Sequence, residues 1–337
     1  MVRRLQIVLT TLVLVLQSAF TFPSNAVWHG TSALGHKRIA PLLMSETGTY
    51  CGGSSFVYKP RIVFTVAHAF EGDDRDPSRR LDLKTIWVGY PGEVVTMNSK
   101  RIKAAKIIKP ENYKPRTIFT GGRTITREND FAIVVLEEPL PLDDKPVELL
   151  TPELLIQYLE SKETVSSGGY GFQDIPDVTA NCENREPMRY ETQVSNPPDQ
   201  SSLIRNNWNW TAPMNFLVNP GQPNQCDGDS GSGIFKDLPD KYIYLGANGA
   251  GTWNNHNCGS SPELLNVMTI NASYPVFLYL KLLQEAEDFV TNNPVKVKKV
   301  KVDKRFWVTC QKGEELRVLH KLKAVCPKGF KKIAVTN

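Results

Sequence analysis

The chain has 337 residues, 41% of them hydrophobic, and a formal net charge of +5 at pH 7. This length and apolar content suffice for two hydrophobic cores plus a tail, which excludes a single small domain. The positive charge lies at the two ends, because residues 291–337 carry a net +10 and residues 1–26 carry +2, which leaves −7 on residues 27–290.

The first 26 residues are predicted to be a signal peptide. Arg3 and Arg4 precede the apolar run Ile7–Leu16, and a polar segment with small residues then ends at Ala26. This order is that of the basic, apolar and cleavage regions of an export signal. The apolar run is too short to cross a bilayer as a helix. Cleavage after Ala26 would leave an exported chain that starts at Val27.

Short runs of β-type residues recur along the chain, separated by clusters of Gly, Pro and Asn, which is typical of antiparallel barrels. The runs are Arg61–Thr65, Thr85–Val88, Arg101–Ile108, Phe131–Leu136, Thr164–Ser167, Arg189–Val194, Gly233–Lys236, Tyr242–Ala247 and Leu264–Ile270. The stretch Pro139–Glu163, with a short predicted helix at Pro152–Leu159, would connect two groups of strands. Val276–Val290 has apolar residues at helical spacing and is predicted to be a helix that packs on the core.

Three segments contain the residue types of nucleophilic catalysis. His68 follows an apolar run directly, Asp130 opens the run Phe131–Leu136, and Ser230 lies between two glycines in Gly228–Ser232. Taken singly, these residues are most simply a core histidine, a strand cap and a turn serine. Their order and their spacings of 62 and 100 residues make the combination far more specific, because a Ser beside free amides can attack a carbonyl when a base is near.

Together the three segments resemble the chymotrypsin-like (trypsin-like) serine proteases, whose hallmarks are Thr-Ala-Ala-His-type, Asp-Ile-Ala-Leu-type and Gly-Asp-Ser-Gly segments. The resemblance runs from about Val27 to Thr291. It implies an all-β fold with two antiparallel six-stranded barrels, at about residues 40–140 and 160–275, and a closing C-terminal helix. It also implies protein or peptide substrates, with no cofactor and no metal.

The same resemblance assigns a role to each motif residue. Ser230 would be the nucleophile, His68 the general base and then acid, and Asp130 the group that orients the imidazole. The backbone amides of Gly228 and Ser230 would form the oxyanion hole. These roles belong to the family and are carried over here by the matching motifs.

The start of the exported chain resembles the family's Ile-Val-Gly-Gly-x-x-Ala start, although His29 replaces a glycine. In active family members a new α-amino group pairs with the Asp before the nucleophile, here Asp229. Cleavage after Ala26 would expose Val27 itself, so we expect export and activation to be one event. A simple turn role for Asp229 is the alternative.

Six cysteines in an exported chain imply disulfides. Cys226 and Cys258 match the family bridge between the nucleophile loop and the wall of the specificity pocket. Cys310 and Cys326 lie together in the tail and should pair with each other.

The two remaining cysteines depart from the family pattern. Cys51 stands where the family has one half of a bridge, but the usual partner position holds Ala69. Cys182 follows Gly169-Tyr170-Gly171, and in the family fold that loop comes near Cys51. A Cys51–Cys182 bridge is therefore predicted, with two free thiols as the alternative.

The substrate-binding positions also differ from the family. The specificity position holds Asn224, and the substrate-pairing strand reads Gly249, Ala250, Gly251 where Ser-Trp-Gly is usual. In the family, the hydroxyl of this Ser supports the buried Asp. Because the chain has Gly249 there, Asp130 lacks that support. Glu263 would favour Arg or Lys if it lies at the pocket floor, or it would face solvent.

The tail comprises a basic linker, residues 292–304, and a small basic module, residues 305–337, which resembles a Cys-paired hairpin at the ends of exported bacterial proteins. Its charge suggests an anionic cell-surface polymer as partner, or only a solubilising role. No nucleic-acid-reading motif is present, so nucleic acid is not expected. The leading interpretation is a secreted, monomeric serine endopeptidase. The alternative is an inactive homologue that serves as a surface-binding module.

Overall fold

The computed structural model describes residues 30–47, 49, 51–70, 85–114, 128–171, 182–195, 214–218, 225–226, 228–251, 269–295, 306–313, 315–321 and 326–336. The chain divides into two compact units, Met1–Pro294 and Val295–Asn337. Among the described residues, no helix is long and apolar enough to cross a bilayer.

The first barrel consists of six antiparallel strands whose residues are mostly buried. The strands are β2 (Ile39–Leu43), β3 (Cys51–Lys59), β4 (Ile62–Thr65), β5 (Trp87–Gly89), β6 (Arg101–Ile108) and β7 (Ala132–Leu136). They pair in the order β2-β3-β4-β7-β6-β5, and pairing of β2 with β5 closes the barrel. Strands β2, β4 and β7 are buried along their whole length, which explains their continuous apolar sequences.

The second barrel is also a ring of six antiparallel strands. The strands are β9 (Thr164–Gly169), β10 (Met188–Ser195), β11 (Met214–Val218), β12 (Gly233–Asp237), β13 (Tyr242–Gly251) and β14 (Thr269–Pro275). The order is β10-β11-β14-β13-β12-β9, and β9 returns to pair with β10. Two short strands extend this sheet: β1 (Thr31–Ser32) pairs with β10, and β8 (Val147–Leu149) pairs with β13. The two-barrel prediction is confirmed.

Two helices flank the second barrel in sequence. Helix α1 spans Pro152–Ser161; Thr151 caps its N-terminus, and Lys162 ends it in the left-handed conformation, φ 52°. Helix α2 spans Leu280–Asn292 and follows the 3-10 turn Val276–Tyr279. The predicted helix Pro152–Leu159 corresponds to α1, and the predicted helix Val276–Val290 corresponds to the 3-10 turn and α2.

Aromatic rings join the two barrels. The ring of Tyr244, on β13, has its centroid 4.7 Å from that of Phe56 and 4.7 Å from that of Phe64, both in the first barrel. All three side chains are fully buried. Tilted ring pairs of this kind add about 0.5–1.5 kcal/mol each beyond their buried area. The two barrels therefore share one apolar core.

Sequence reasoning did not predict strands β2 and β3. Strand β2 contains Pro41, and β3 begins Cys51-Gly52-Gly53, and both proline and glycine are depleted in strands. Their strand conformation comes from pairing across the barrel, which overrides local propensity. The predicted run Leu264–Ile270 overlaps β14, which starts at Thr269; residues 264–268 lie outside the described part.

The tail forms a three-stranded sheet. Its strands are β15 (Phe306–Lys312), β16 (Glu315–Lys321) and β17 (Lys331–Thr336), in the order β16-β15-β17. Strands β15 and β16 form the expected hairpin, and β17 adds a third strand that the sequence did not predict. The boundaries at residues 292–304 and 305–337 stay a prediction.

Each of the two units contains a disulfide of its own. Cys51 is bonded to Cys182, with Cα atoms 5.8 Å apart, and Cys310 to Cys326, with Cα atoms 5.7 Å apart. The first bridge closes a loop of 131 residues, worth about 4–5 kcal/mol in the chain-entropy account. Cys226 is also disulfide-bonded, and its predicted partner Cys258 lies outside the described residues.

A mostly buried histidine lies near the start of the first barrel. The ring of His36 packs between Phe235 and Tyr242, at centroid distances of 5.2 Å and 5.6 Å. Its Nδ1 accepts a hydrogen bond from the amide of Arg38 at 3.2 Å, while its Nε2 is buried without a partner in the described part of the chain. Protonation would therefore place on Nε2 a proton that has no acceptor in the described part of the chain.

Burial lowers the pKa of His36 to about 4. The negative charges of Asp237 and Asp143 oppose this shift, whereas the positive charges of Arg189 and Lys145 add to it. Because the folded-state pKa lies below the unfolded value of about 6.5, the unfolded chain binds more protons between those two values. Stability conferred by neutral His36 is thus fully present above about pH 6.5 and is lost as the pH falls toward 4.

We predict that His36→Gln removes part of the acid sensitivity of the fold. Between pH 7 and pH 4 the wild type should lose up to about 3 kcal/mol more unfolding free energy than the variant. Urea unfolding of both proteins at pH 7, 5.5 and 4 measures the difference. Parallel pH profiles would contradict this assignment.

Candidate active site

The predicted base and its carboxylate lie at adjacent strand ends. Strand β4 ends at Thr65, and His68 follows in the 3-10 turn Ala67–Phe70. Asp130 lies two residues before β7 begins, and Thr65 pairs with Ala132 in the antiparallel ladder. The end of one strand is therefore beside the start of the other, which brings residues 62 positions apart into contact.

His68 contacts both oxygens of the Asp130 carboxylate. The ring Nδ1 lies 2.6 Å from Oδ2, and the backbone amide of His68 donates to Oδ1 at 2.9 Å. Asp130 has no exposed surface. Because an ionised carboxylate only accepts hydrogen bonds, Nδ1 carries a proton and Nε2 of the neutral ring is left free to accept one.

Aromatic side chains and Gly249 lie near the carboxylate. The ring of Phe131 stacks on Tyr279 at 4.5 Å. Burial, and next the charge of Asp130, raise the pKa of Tyr279 well above its usual range. A Cβ atom placed on Gly249 would lie 3.4 Å from Oδ2 of Asp130 and 3.0 Å from the ring of Tyr274. Gly249 thus faces the carboxylate without offering it a hydroxyl.

The loop that contains the predicted nucleophile turns sharply at two glycines. Gly228 has φ +89° and Gly231 has φ +84°, in the left-handed region that favours glycine. A Cβ atom at Gly231 would lie 2.1 Å from the hydroxyl oxygen of Thr65. Ser230, between them, is partly exposed. This approach places the nucleophile loop directly beside the strand that leads to His68.

Ser54, on β3, binds the loop around Ser230 with its amide and its hydroxyl. Its amide donates to the carbonyl of Ser230 at 2.8 Å, and its hydroxyl donates to the carbonyl of Gly228 at 2.8 Å. The hydroxyl also accepts from the amide of Tyr170 at 2.8 Å, and the carbonyl accepts from the Thr65 hydroxyl at 2.9 Å. Ser54 therefore connects the first barrel to the loop of the second.

Sequence reasoning missed Ser54. The available signal was Gly53, because a Cβ atom there would lie 2.7 Å from the carbonyl oxygen of Ser230, and its φ is +145°. A glycine pair before a serine indicates close approach of another backbone, but the sequence does not say which one.

Asp229 is 1% exposed and is bound by backbone amides. The amide of Gly171 donates to Oδ1 at 2.7 Å, and the amide of Cys226 donates to Oδ2 at 2.7 Å. A Cβ atom on Gly169 would lie 2.5 Å from Oδ1, so the end of β9 approaches the carboxylate closely. Val27, the predicted partner of Asp229, lies outside the described residues.

The predicted substrate-binding residues are described only in part. Gly249, Ala250 and Gly251 are the last residues of β13, where the register with β14 shifts between residues 248 and 250. Asn224 and Glu263 lie outside the described residues, so their roles stay predictions.

A comparison with protein families identifies the chain. The family model Trypsin matches residues 27–270, which is more than half of the sequence. No curated protein matches the chain. The matched span contains both six-stranded barrels up to the start of β14, as well as His68, Asp130 and Ser230. The chain therefore belongs to the trypsin family of chymotrypsin-like serine proteases.

Proposed function

We propose that the chain is a secreted serine endopeptidase with Ser230, His68 and Asp130 as its catalytic residues. The observation that carries this proposal is the contact of His68 with both oxygens of buried Asp130. That contact leaves one ring nitrogen available as a base. The approach of the Gly228–Gly231 loop to Thr65, which precedes His68 by three residues, supports Ser230 as the group that this base activates.

The proposed reaction proceeds through an acyl-enzyme. Oγ of Ser230 attacks the carbonyl carbon of the scissile amide while Nε2 of His68 takes the hydroxyl proton. The amides of Gly228 and Ser230 hold the oxyanion of the tetrahedral intermediate. His68 then passes its proton to the leaving amine as the C–N bond breaks. Water, deprotonated by His68, releases the acid product and restores Ser230.

Asp130 is proposed to stabilise the imidazolium that forms during each proton transfer. Its burial strengthens the charge–charge interaction with His68, because the surroundings have a lower dielectric constant than water. Gly249 offers no side-chain donor to Asp130 at the position where family members have a serine. Substrate is proposed to pair with Gly249–Gly251 and to reach a pocket lined by Asn224 and Glu263.

Secretion and activation are proposed to be linked. The signal segment would be removed after Ala26, and the new amine at Val27 would join the buried carboxylate of Asp229. An ammonium group would compensate this buried charge further. The tail, with its net charge of +10, is proposed to bind an anionic cell-surface polymer.

Ser230→Ala tests the nucleophile. Amide hydrolysis should fall by about 10⁴-fold or more, because the remaining groups cannot form the acyl-enzyme. The measurement is cleavage of a mixed peptide pool, together with labelling of wild type and variant by a fluorophosphonate. A wild type that is neither labelled nor active would instead favour the inactive surface-binding homologue.

Sequencing the mature N-terminus tests the activation scheme. The exported protein should begin at Val27, and blocking that amine by acetylation should lower kcat, because a neutral amide cannot pair with Asp229. A protein that retains its signal segment has no free amine at Val27, so it should be inactive both before and after acetylation. A mature start elsewhere would contradict the scheme.

Removal of the tail tests its proposed partner. A chain that ends at Asn293 should lose retention on intact cells and on an immobilised phosphate-rich wall polymer, while its peptide cleavage is unchanged. Retention of the full chain should weaken with added salt, because the attraction is between charges. Equal retention of both chains would rule out tethering.

A further inference from the structure

Ser54 has no place in the reaction proposed above, yet all of its polar groups are directed at that site or its neighbours. It is fully buried. We infer that Ser54 is a positioning residue that preforms the oxyanion hole by holding the nucleophile loop against the first barrel. This inference rests on the proposed function and identifies a residue that the motifs do not contain.

The two carbonyls bound by Ser54 lie on either side of a peptide whose N–H is a proposed oxyanion donor. The hydroxyl of Ser54 holds the carbonyl of Gly228, and its amide holds the carbonyl of Ser230, each at 2.8 Å. Between those carbonyls lies the Asp229–Ser230 peptide, whose N–H is one of the proposed oxyanion donors. Two fixed points on either side restrict rotation of this N–H, and donors that need no reorganisation are the ones that stabilise a transition state most.

The loop needs such restraint because glycines lie at both of its ends. Gly228 and Gly231 have φ +89° and +84°, and glycine has more alternative backbone conformations than any other residue. The carboxylate of Asp229 anchors the same loop to the amides of Gly171 and Cys226. Ser54 supplies the anchor from the opposite barrel.

Ser54 also sets the loop relative to the proposed base. Its carbonyl accepts from the hydroxyl of Thr65 at 2.9 Å, and Thr65 lies three residues before His68 on the same strand and turn. One residue therefore contacts both the segment that contains Ser230 and the segment that leads to His68. Loss of the contacts of Ser54 should therefore lower the rate of the reaction more than it weakens the binding of substrate.

Ser54→Ala and Ser55→Ala form a matched pair for the test. Both serines are fully buried neighbours on β3, but the hydroxyl of Ser55 donates to the carbonyl of Ala40 within the first barrel, at 2.9 Å. Ser54→Ala should lower kcat for an amide substrate by about 10- to 100-fold with KM within about twofold. Ser55→Ala should leave both constants within about twofold of the wild type.

A second readout separates positioning from a loss of folded protein. Active sites are counted by fluorophosphonate titration, so misfolded chains do not enter kcat. A peptide aldehyde, whose hemiacetal oxygen needs the oxyanion donors, should bind Ser54→Ala more weakly by about the same factor as kcat falls. Ser54→Cys, which keeps a donor at nearly the same place, should recover part of both losses and takes the place of Ser54→Ala if that variant does not fold.

The outcomes distinguish this inference from the proposed function. If the wild type cleaves peptides but the Ser54 and Ser55 variants have equal kcat and equal aldehyde affinity, Ser54 does not position the loop. If the wild type is neither labelled nor active, the proposed function fails first, and the inference fails with it.

Discussion

Chemistry that takes a base from one barrel and a nucleophile from the other depends on a fixed separation between the two barrels. Two kinds of contact provide it in this chain. The ring of Tyr244 packs against Phe56 and Phe64, which holds the barrels together without specifying direction. The hydrogen bonds of Ser54 then join the first barrel to the loop around Ser230. Apolar packing supplies cohesion, and the polar contacts would supply the alignment that the proposed catalysis requires.

The buried carboxylates also constrain the fold, because a negative charge that is removed from water needs hydrogen-bond donors. Asp130 receives the amide and the ring nitrogen of His68, whereas Asp229 receives the amides of Gly171 and Cys226. One carboxylate therefore fixes the proposed base, and the other fixes the loop of the proposed nucleophile. Each carboxylate has a partner that is distant in sequence, His68 for Asp130 and Gly171 for Asp229. Both sets of contacts therefore depend on the completed fold.

The sequence predicted those parts of the site that have local chemical signatures. A His after an apolar strand, an Asp before another strand and a Ser between glycines can be recognised as segments, and their order points to the family and its two barrels. Ser54 has no such signature, since its role arises only from the approach of β3 to a loop 174 residues away. Strands β2 and β3 were not predicted because Pro41 and the Gly52-Gly53 pair have low strand propensity. Strand β17 was not predicted because the tail resembles a simple hairpin.

The central claim is that this fold presents an activated serine beside two amides that await negative charge. A crystal structure of the mature protein with a peptide boronic acid tests it most directly. The account predicts a covalent bond from Oγ of Ser230 to boron, with one boronate oxygen within hydrogen-bonding distance of the amides of Gly228 and Ser230 and Nε2 of His68 beside the adduct. An unmodified Ser230, or an adduct whose oxygen points away from both amides, would contradict it.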